Sequence, residues 1–271
     1  MCQECGCGDK HPFEIISEKK GGGYGHHHGH HSSHGENHHG DGHAHPQEEK
    51  RSGDRRHLDL GEAVLSHNDR LAERNRGYFK AKGICAINLL SSPGAGKTAL
   101  LEKTLDGLQG QLLAGVVVGD PQTDLDAQRL RGRGAPVLQV VTGQACHLDA
   151  HMVAHAVEEM EEEATGLKIL FLENVGNLVC PAAFDLGEKA RVVLFSVTEG
   201  EDKPLKYPVI FKSADLILVT KMDLAEASGF DEPKAMKHLK SVAPQARVLA
   251  LSSKTGAGFS AWMEWLASQQ P

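Results

Sequence analysis

An α/β fold with a mainly parallel seven-stranded sheet, covered by helices on both faces, is predicted for residues 57–271, behind a disordered N-terminal tail. Three observations predict it. Composition changes sharply near residue 56, seven short apolar runs alternate with helical patterns beyond it, and the first run passes straight into a glycine-bearing turn and a helix. Residues 1–56 hold 11 of the 17 His but only 9 apolar residues, too few to bury a core, so they are expected to be disordered. Residues 57–271 mix apolar and charged residues in the proportions of a compact domain.

Each element has its own warrant. Leu60, Val64, His67, Leu71 and Tyr78 recur at helical spacing, predicting an amphipathic helix over 58–80 that packs on the sheet. Strands are predicted at 84–90, 112–118, 137–141, 168–172, 191–197, 215–219 and 247–251. Most of the gaps between them are long enough for crossover helices, which makes the sheet parallel and places ligands at the carboxyl ends of its strands.

At the end of the first of these strands stand Ser91-Ser92-Pro93-Gly94-Ala95-Gly96-Lys97-Thr98, followed by the helical run from Ala99. A strand, a glycine-bearing turn and a helix in that order form a phosphate-binding loop. Backbone N–H groups face the phosphates, Lys97 reaches their outer oxygens and the Thr98 hydroxyl can ligate Mg²⁺. Ser91 stands where the first glycine of the pattern is usual. Farther on, Thr220-Lys221-Met222-Asp223 has the form of a guanine-reading loop with Thr in place of Asn, and Ser252-Ser253-Lys254 has the form of the loop that closes over the base. The Asp223 carboxylate matches guanine N1–H and the 2-amino group, and adenine would leave it unpaired, so GTP is expected over ATP. Asp120 and Glu173 end two strands as candidate Mg²⁺ ligands. Gly176 is placed to donate its N–H to a terminal phosphoryl group. Asn177 follows where fast regulatory GTPases carry a water-positioning Gln, which predicts slow intrinsic turnover.

A second chemistry runs through the same chain. Ten His lie between residues 26 and 45, a tract suited to buffering Ni²⁺, Zn²⁺ or another transition metal. Cys2, Cys5 and Cys7 place three thiols within six residues, suited to square-planar Ni²⁺ or tetrahedral Zn²⁺. Inside the domain, Cys146 and His147 precede a helical run and Cys180 follows the Glu173–Gly176 loop. These three could converge on one ion, leaving a tetrahedral site one ligand short for water or a second subunit. Pro181 biases Cys180 toward an extended backbone at a loop edge, and Cys85 is read as core. The net charge of −7 and pI near 6.2 argue against a nucleic-acid partner. The chain has no apolar run near the ~18 residues that span a bilayer and no secretory leader at its start, so the cytoplasm is expected.

Taken together, Cys-x-x-Cys-Gly-Cys, the His-rich tract, the phosphate loop, residues 119–124, Cys146-His147-Leu148-Asp149 and residues 173–181 resemble the HypB family of hydrogenase nickel-incorporation GTPases, nearly end to end. The resemblance implies a P-loop GTPase that dimerises with nucleotide. It implies a metallochaperone maturing [NiFe]-hydrogenase, with a HypA-like accessory protein and the hydrogenase large-subunit precursor as partners. It assigns Cys2, Cys5 and Cys7 to a high-affinity nickel site, and Cys146, His147 and Cys180 to a second site for nickel or zinc at or near the dimer interface. Competing readings are a nickel reservoir with a regulatory GTPase domain, a urease-type nickel accessory GTPase, whose metal motif places Cys, Pro and His consecutively, and a small-molecule kinase, for which no acceptor site is legible.

Overall fold

The computed structural model describes residues 13–17, 49–109 and 111–270. Its strands are β1 (Glu14–Ile16), β2 (Cys85–Ser91), β3 (Ala114–Asp120), β4 (Val137–Val141), β5 (Ile169–Glu173), β6 (Ala190–Ser196), β7 (Leu216–Thr220) and β8 (Arg247–Ala250). The helices are α1 (Glu49–Lys82), α2 (Lys97–Leu108), α3 (Leu125–Leu130), α4 (Ala150–Glu163), α5 (Lys203–Lys206), α6 (Pro208–Lys212), α7 (Glu232–Val242) and α8 (Phe259–Ser268). One sheet forms in the order β1-β4-β3-β5-β2-β6-β7-β8, parallel throughout except for β1 on β4.

The central strands are buried on both faces, which is why they read as continuous apolar runs and not as alternating ones. Within β2, Cys85, Ile87 and Leu89 face one layer with Leu101 of α2 and Trp262 of α8. Ala86 faces the other, with Met152 and Val153 of α4. Trp262 is fully buried, and its indole N–H donates to Thr104 Oγ1 at 2.8 Å, joining α8 to α2. Farther along the sheet, Val193, Phe195 and Ile217 pack with Leu239 of α7.

All seven expected strands are present as β2–β8, with ends within two residues of those predicted. The eighth corrects the sequence reading, which expected residues 1–56 to be disordered throughout. Glu14–Ile16 instead pair antiparallel with Val141–Gln139, and Phe13 is buried beside them. Three residues on an edge strand need only one apolar anchor, and the His- and Gly-rich surroundings masked Phe-Glu-Ile-Ile as a strand. Cys2, Cys5, Cys7 and the His tract lie outside the described residues.

Helix α1 is a second correction. It extends from Glu49 to Lys82, across the boundary placed at 56/57, and its buried face is not the expected one. Val64 is 56% exposed and His67 is exposed, while Asn68, Ala72, Asn75 and Phe79 are buried. This face lies mainly against α4, not on the sheet. Among the described residues, no helix is long and apolar enough to cross a membrane.

Candidate functional site

Strand register assembles the phosphate site. β3, β5 and β2 are consecutive in the sheet, with Val118 and Leu89 both opposite Glu173, so Asp120, Glu173 and the Ser91–Thr98 loop emerge together at the carboxyl edge. Gly94 and Gly96 take φ of 72° and 102°, left-handed values that favour glycine and turn the backbone N–H groups inward at the start of α2. A cavity of about 460 Å³ opens there, lined by Gly94, Gly96, Lys97, Thr98, Ala99, Asp120, Glu173 and Gly176 among others. Asp126 and Arg129 of α3 also line it, and sequence reading had not singled them out.

The charges in this cavity are arranged in opposition. Lys97 is buried, and desolvation pulls its ammonium below the usual range against the pull of Glu173. Its Nζ donates to Ser91 Oγ at 3.0 Å. Burial pushes Glu173 up to about 7, countered by Lys97 and by the Thr98 hydroxyl, which donates to Oε1 at 2.8 Å. Glu173 Oε2 is buried and has no hydrogen-bond partner among the described residues. A bare carboxylate oxygen beside a threonine hydroxyl at a phosphate loop fits a hard cation such as Mg²⁺. Asp120 lies at the rim, its Oδ1 accepting from Gln122 N, Thr123 N and Thr123 Oγ1. Gly176 passes close over the loop: a Cβ there would lie 2.9 Å from Pro93 Cα.

The segments expected to read the base also converge. Asp223 Oδ1 accepts from Ser252 Oγ at 2.6 Å, and Thr255 N donates to the same Ser252 hydroxyl at 3.1 Å. Lys221 has φ of 59°, alone among the described non-glycine residues in the left-handed region. Ser253 is half-buried, its carbonyl accepting from Lys103 Nζ at 3.4 Å, while Lys254 is exposed. Thr220, the departure from Asn, is buried and donates to the Ala95 carbonyl at 2.7 Å, tying the end of β7 to the phosphate loop.

The loops after β4 and β5 bring the sulfur cluster together. Ligand atoms of Cys146, His147 and Cys180, all half-buried, lie within 4.8 Å of one another. Cys146 Sγ is 3.8 Å from His147 Nδ1. The Cys146 thiol is pushed up by its hydrogen bond with Cys180, then by burial, while the Asn177 side chain pulls the other way. Burial holds the His147 imidazole below its ordinary range, which keeps it neutral and able to ligate. Its ring lies against Phe184, tilted by 33°, with centroids 3.8 Å apart. Cys180 opens a 3₁₀ turn, Cys180–Ala183, with Pro181 near its start, not the extended backbone expected from the following proline. Two thiols and an imidazole form a borderline-soft donor set that suits Ni²⁺ or Zn²⁺. Cys85 is buried in the core, away from this cluster.

Fold and site together define a P-loop nucleotide-binding protein with a cluster of two thiols and an imidazole on the loops that follow β4 and β5. Residues 85–250 match the family model described as CobW/HypB/UreG, nucleotide-binding domain. Hydrogenase maturation factor HypB of Escherichia coli K12 is 49% identical over 216 residues, covering 80% of this chain and 74% of that one. The probable hydrogenase maturation factor HypB of Methanocaldococcus jannaschii is 43% identical over 209 residues, covering 77% and 94%. A crystal structure of HypB from Helicobacter pylori in complex with nickel superposes with a TM-score of 0.72 at 36% identity, covering 75% of this chain and 94% of that one. The chain belongs to the HypB family of P-loop GTPases.

Proposed function

We propose that the protein hydrolyses GTP and delivers nickel for the maturation of a [NiFe]-hydrogenase. The observation that carries this reading is convergence: Cys146, His147 and Cys180 meet at one point, and Cys180 lies four residues beyond Gly176, on the loop that closes over the phosphate pocket. A loop reshaped by the terminal phosphoryl group therefore moves a metal ligand, and by reciprocity metal at that ligand changes nucleotide affinity. The HypB names of its relatives and the nickel complex of one of them support the cargo and the pathway.

Within the pocket, the N–H groups of the 94–98 turn and Lys97 hold the phosphates, while Asp223, oriented by Ser252, reads guanine. Thr98 and Glu173, with Asp120 at the rim, are the residues that would hold Mg²⁺, which supplies charge neutralisation on the phosphate oxygens when bound. The Gly176 N–H reports the terminal phosphoryl group. Three protein ligands leave a tetrahedral ion one short, and a second copy would complete it. Val179, 65% exposed beside Cys180, gives that copy an apolar contact. Cys2, Cys5, Cys7 and the His tract form the metal-loading segment, and the chain from α1 onward the GTPase domain. A HypA-like protein and the hydrogenase large-subunit precursor are the partners, in the cytoplasm.

The test is a nickel titration of the full chain and of Cys146→Ala, each with GDP and with a non-hydrolysable GTP analogue, while molecular mass is followed. Nickel affinity at the site depends on the nucleotide in the parent protein and is lost in the variant. Equal affinity in both nucleotide states overturns the coupling.

A further inference from the structure

We propose that Asn174 is a positioning residue that carries the state of the terminal-phosphate loop to the Cys146–His147 arm of the metal site. The proposal rests on the nucleotide–metal coupling above and names the element that transmits it to the ligands that are not on the phosphate loop. The Cys180 arm needs no such element, because it continues covalently from Gly176. Cys146 and His147 lie on a different segment, between β4 and α4, and must be held by contacts.

Asn174 is 1% exposed and directly follows Glu173. Its Oδ1 accepts from Leu148 N at 2.9 Å and from Val175 N at 3.0 Å. One side-chain oxygen therefore grips the backbone of the 174–177 segment and the backbone immediately after His147. On its other side Nδ2 donates to Asn88 Oδ1 at 3.4 Å, and Asn88 Nδ2 donates to Glu188 Oε1 at 3.2 Å. Glu188 also accepts from Leu186 N at 2.7 Å and from Arg191 Nε at 2.6 Å, while Arg191 holds the carbonyls of Ala182 and Phe184, just past Cys180. The path closes through α1, where Asn75 Nδ2 donates to both Leu186 O and Ala150 O. The 174–177 segment and the backbone after His147 are thus stations on one ring of hydrogen bonds closed by short backbone links, with Asn174 at the junction and the backbone past Cys180 joined to it through Arg191.

Buried amides in such a ring cannot shift independently, since each broken bond leaves a desolvated partner. Direct contacts exist at the Cys146 sulfur itself, from Cys180 and Asn177, but they use the atom that an ion must occupy. The Asn174 bond is to backbone and persists whether or not the thiol is ligated, so it can transmit in the loaded state.

The experiment measures alkylation of Cys146 and Cys180 separately by peptide mass spectrometry, on the full chain freed of transition metal, with Mg²⁺ and saturating GDP or non-hydrolysable GTP analogue. In the parent protein both rates differ between nucleotides by about 5-fold or more, the lower end of ordinary coupling. In Asn174→Ala the Cys180 rate keeps its difference, while the nucleotide dependence of the Cys146 rate shrinks by about 2-fold or more, the remainder passing through the sulfur's own contacts with Cys180 and Asn177. Asn174→Ser, smaller but still polar and too short to reach Leu148 N, gives the same outcome if the alanine variant does not fold. A Cys146 rate that follows nucleotide as strongly in the variant as in the parent overturns the role of Asn174 and leaves the metallochaperone reading standing. A parent protein in which neither cysteine responds overturns both.

Discussion

Replacing Gly176 with alanine separates recognition of the terminal phosphoryl group from binding of the rest of the nucleotide. The added Cβ would lie 2.9 Å from Pro93 Cα, 3.0 Å from Pro93 N and 3.3 Å from Pro93 Cβ. Ordinary carbon contacts are about 3.5–4.0 Å, so the loop or the turn must move by roughly half an ångström or more. Two of the three atoms are backbone of the phosphate loop, which is anchored by β2 and α2, so the 174–177 segment is the part that retreats. Retreat withdraws the Gly176 N–H from the phosphoryl oxygen. A hydrogen bond to a charged group is worth about 1.5–3 kcal/mol, and at about 1.4 kcal/mol per decade this lowers affinity for a GTP analogue about 10- to 150-fold. GDP, which has no terminal group to contact, binds within about 2-fold of the parent. Calorimetric titration of both nucleotides with Mg²⁺ decides the matter. Undiminished affinity for the triphosphate analogue refutes the sensing role. An equal loss for GDP shows that the phosphate loop itself deformed, and refutes the claim that the 174–177 segment is the part that yields.

Three further outcomes are expected. Thr220→Val removes the donor to Ala95 O, leaves a buried carbonyl unpaired and costs about 1–3 kcal/mol of stability; an unchanged urea midpoint would contradict it. For Asp185, burial alone would raise the carboxyl, but Arg76, the Gly187 N–H and Glu188 together hold it below its usual range. A depressed folded pKa contributes stability above the unfolded value of about 3.9 that is lost as pH falls through the folded value. Asp185→Asn therefore lowers the melting temperature at neutral pH and flattens its decline below about pH 4; parallel pH profiles for the two proteins would count against this. With Asn177 accepting from Val179 N and no Gln beside Gly176, steady-state GTP turnover by the chain alone stays below about one per second, and a phosphate-release assay giving a faster rate removes that expectation.

The legible parts of this protein were those written in local sequence. Seven strands show as apolar runs because the sheet is covered on both faces, and the phosphate loop shows because glycine spacing is dictated by backbone geometry. The Ser91 departure is harmless for a physical reason. Ser91 ends β2 in the ordinary non-left-handed region, and its hydroxyl donates to Ser92 O and accepts from Lys97, so no glycine is required there. Asn88, Asn174, Glu188 and Arg191 were not legible as a group. Asn88 and Glu188 are 100 residues apart, and only the order β5-β2-β6 makes them neighbours. Asp126 and Arg129 reach the phosphate cavity from α3, with no motif to announce them.

Helix α1 shows the limit of periodicity most clearly, because half of its buried face, Asn68 and Asn75 beside Ala72 and Phe79, meets backbone and not apolar side chains. Asn68 Oδ1 accepts from Ala150 N at 2.9 Å, and its Nδ2 donates to Asp185 O at 2.8 Å. Ala150 opens α4, and the N–H groups of a first helical turn have no partner within their own helix. Asn68 therefore completes the start of α4 from outside, beside Asp149, whose side chain accepts from Met152 N. Arg76 adds a charge-assisted pair to Asp185. A search for an apolar stripe passes over such a face, since asparagine reads as solvent-exposed, and it fixes instead on Val64 and His67, which face outward. The amides on this face hold two loops, one leading from His147 and one leading from Cys180, and because they bond backbone they fix those loops without engaging the Cys146, His147 or Cys180 side chains.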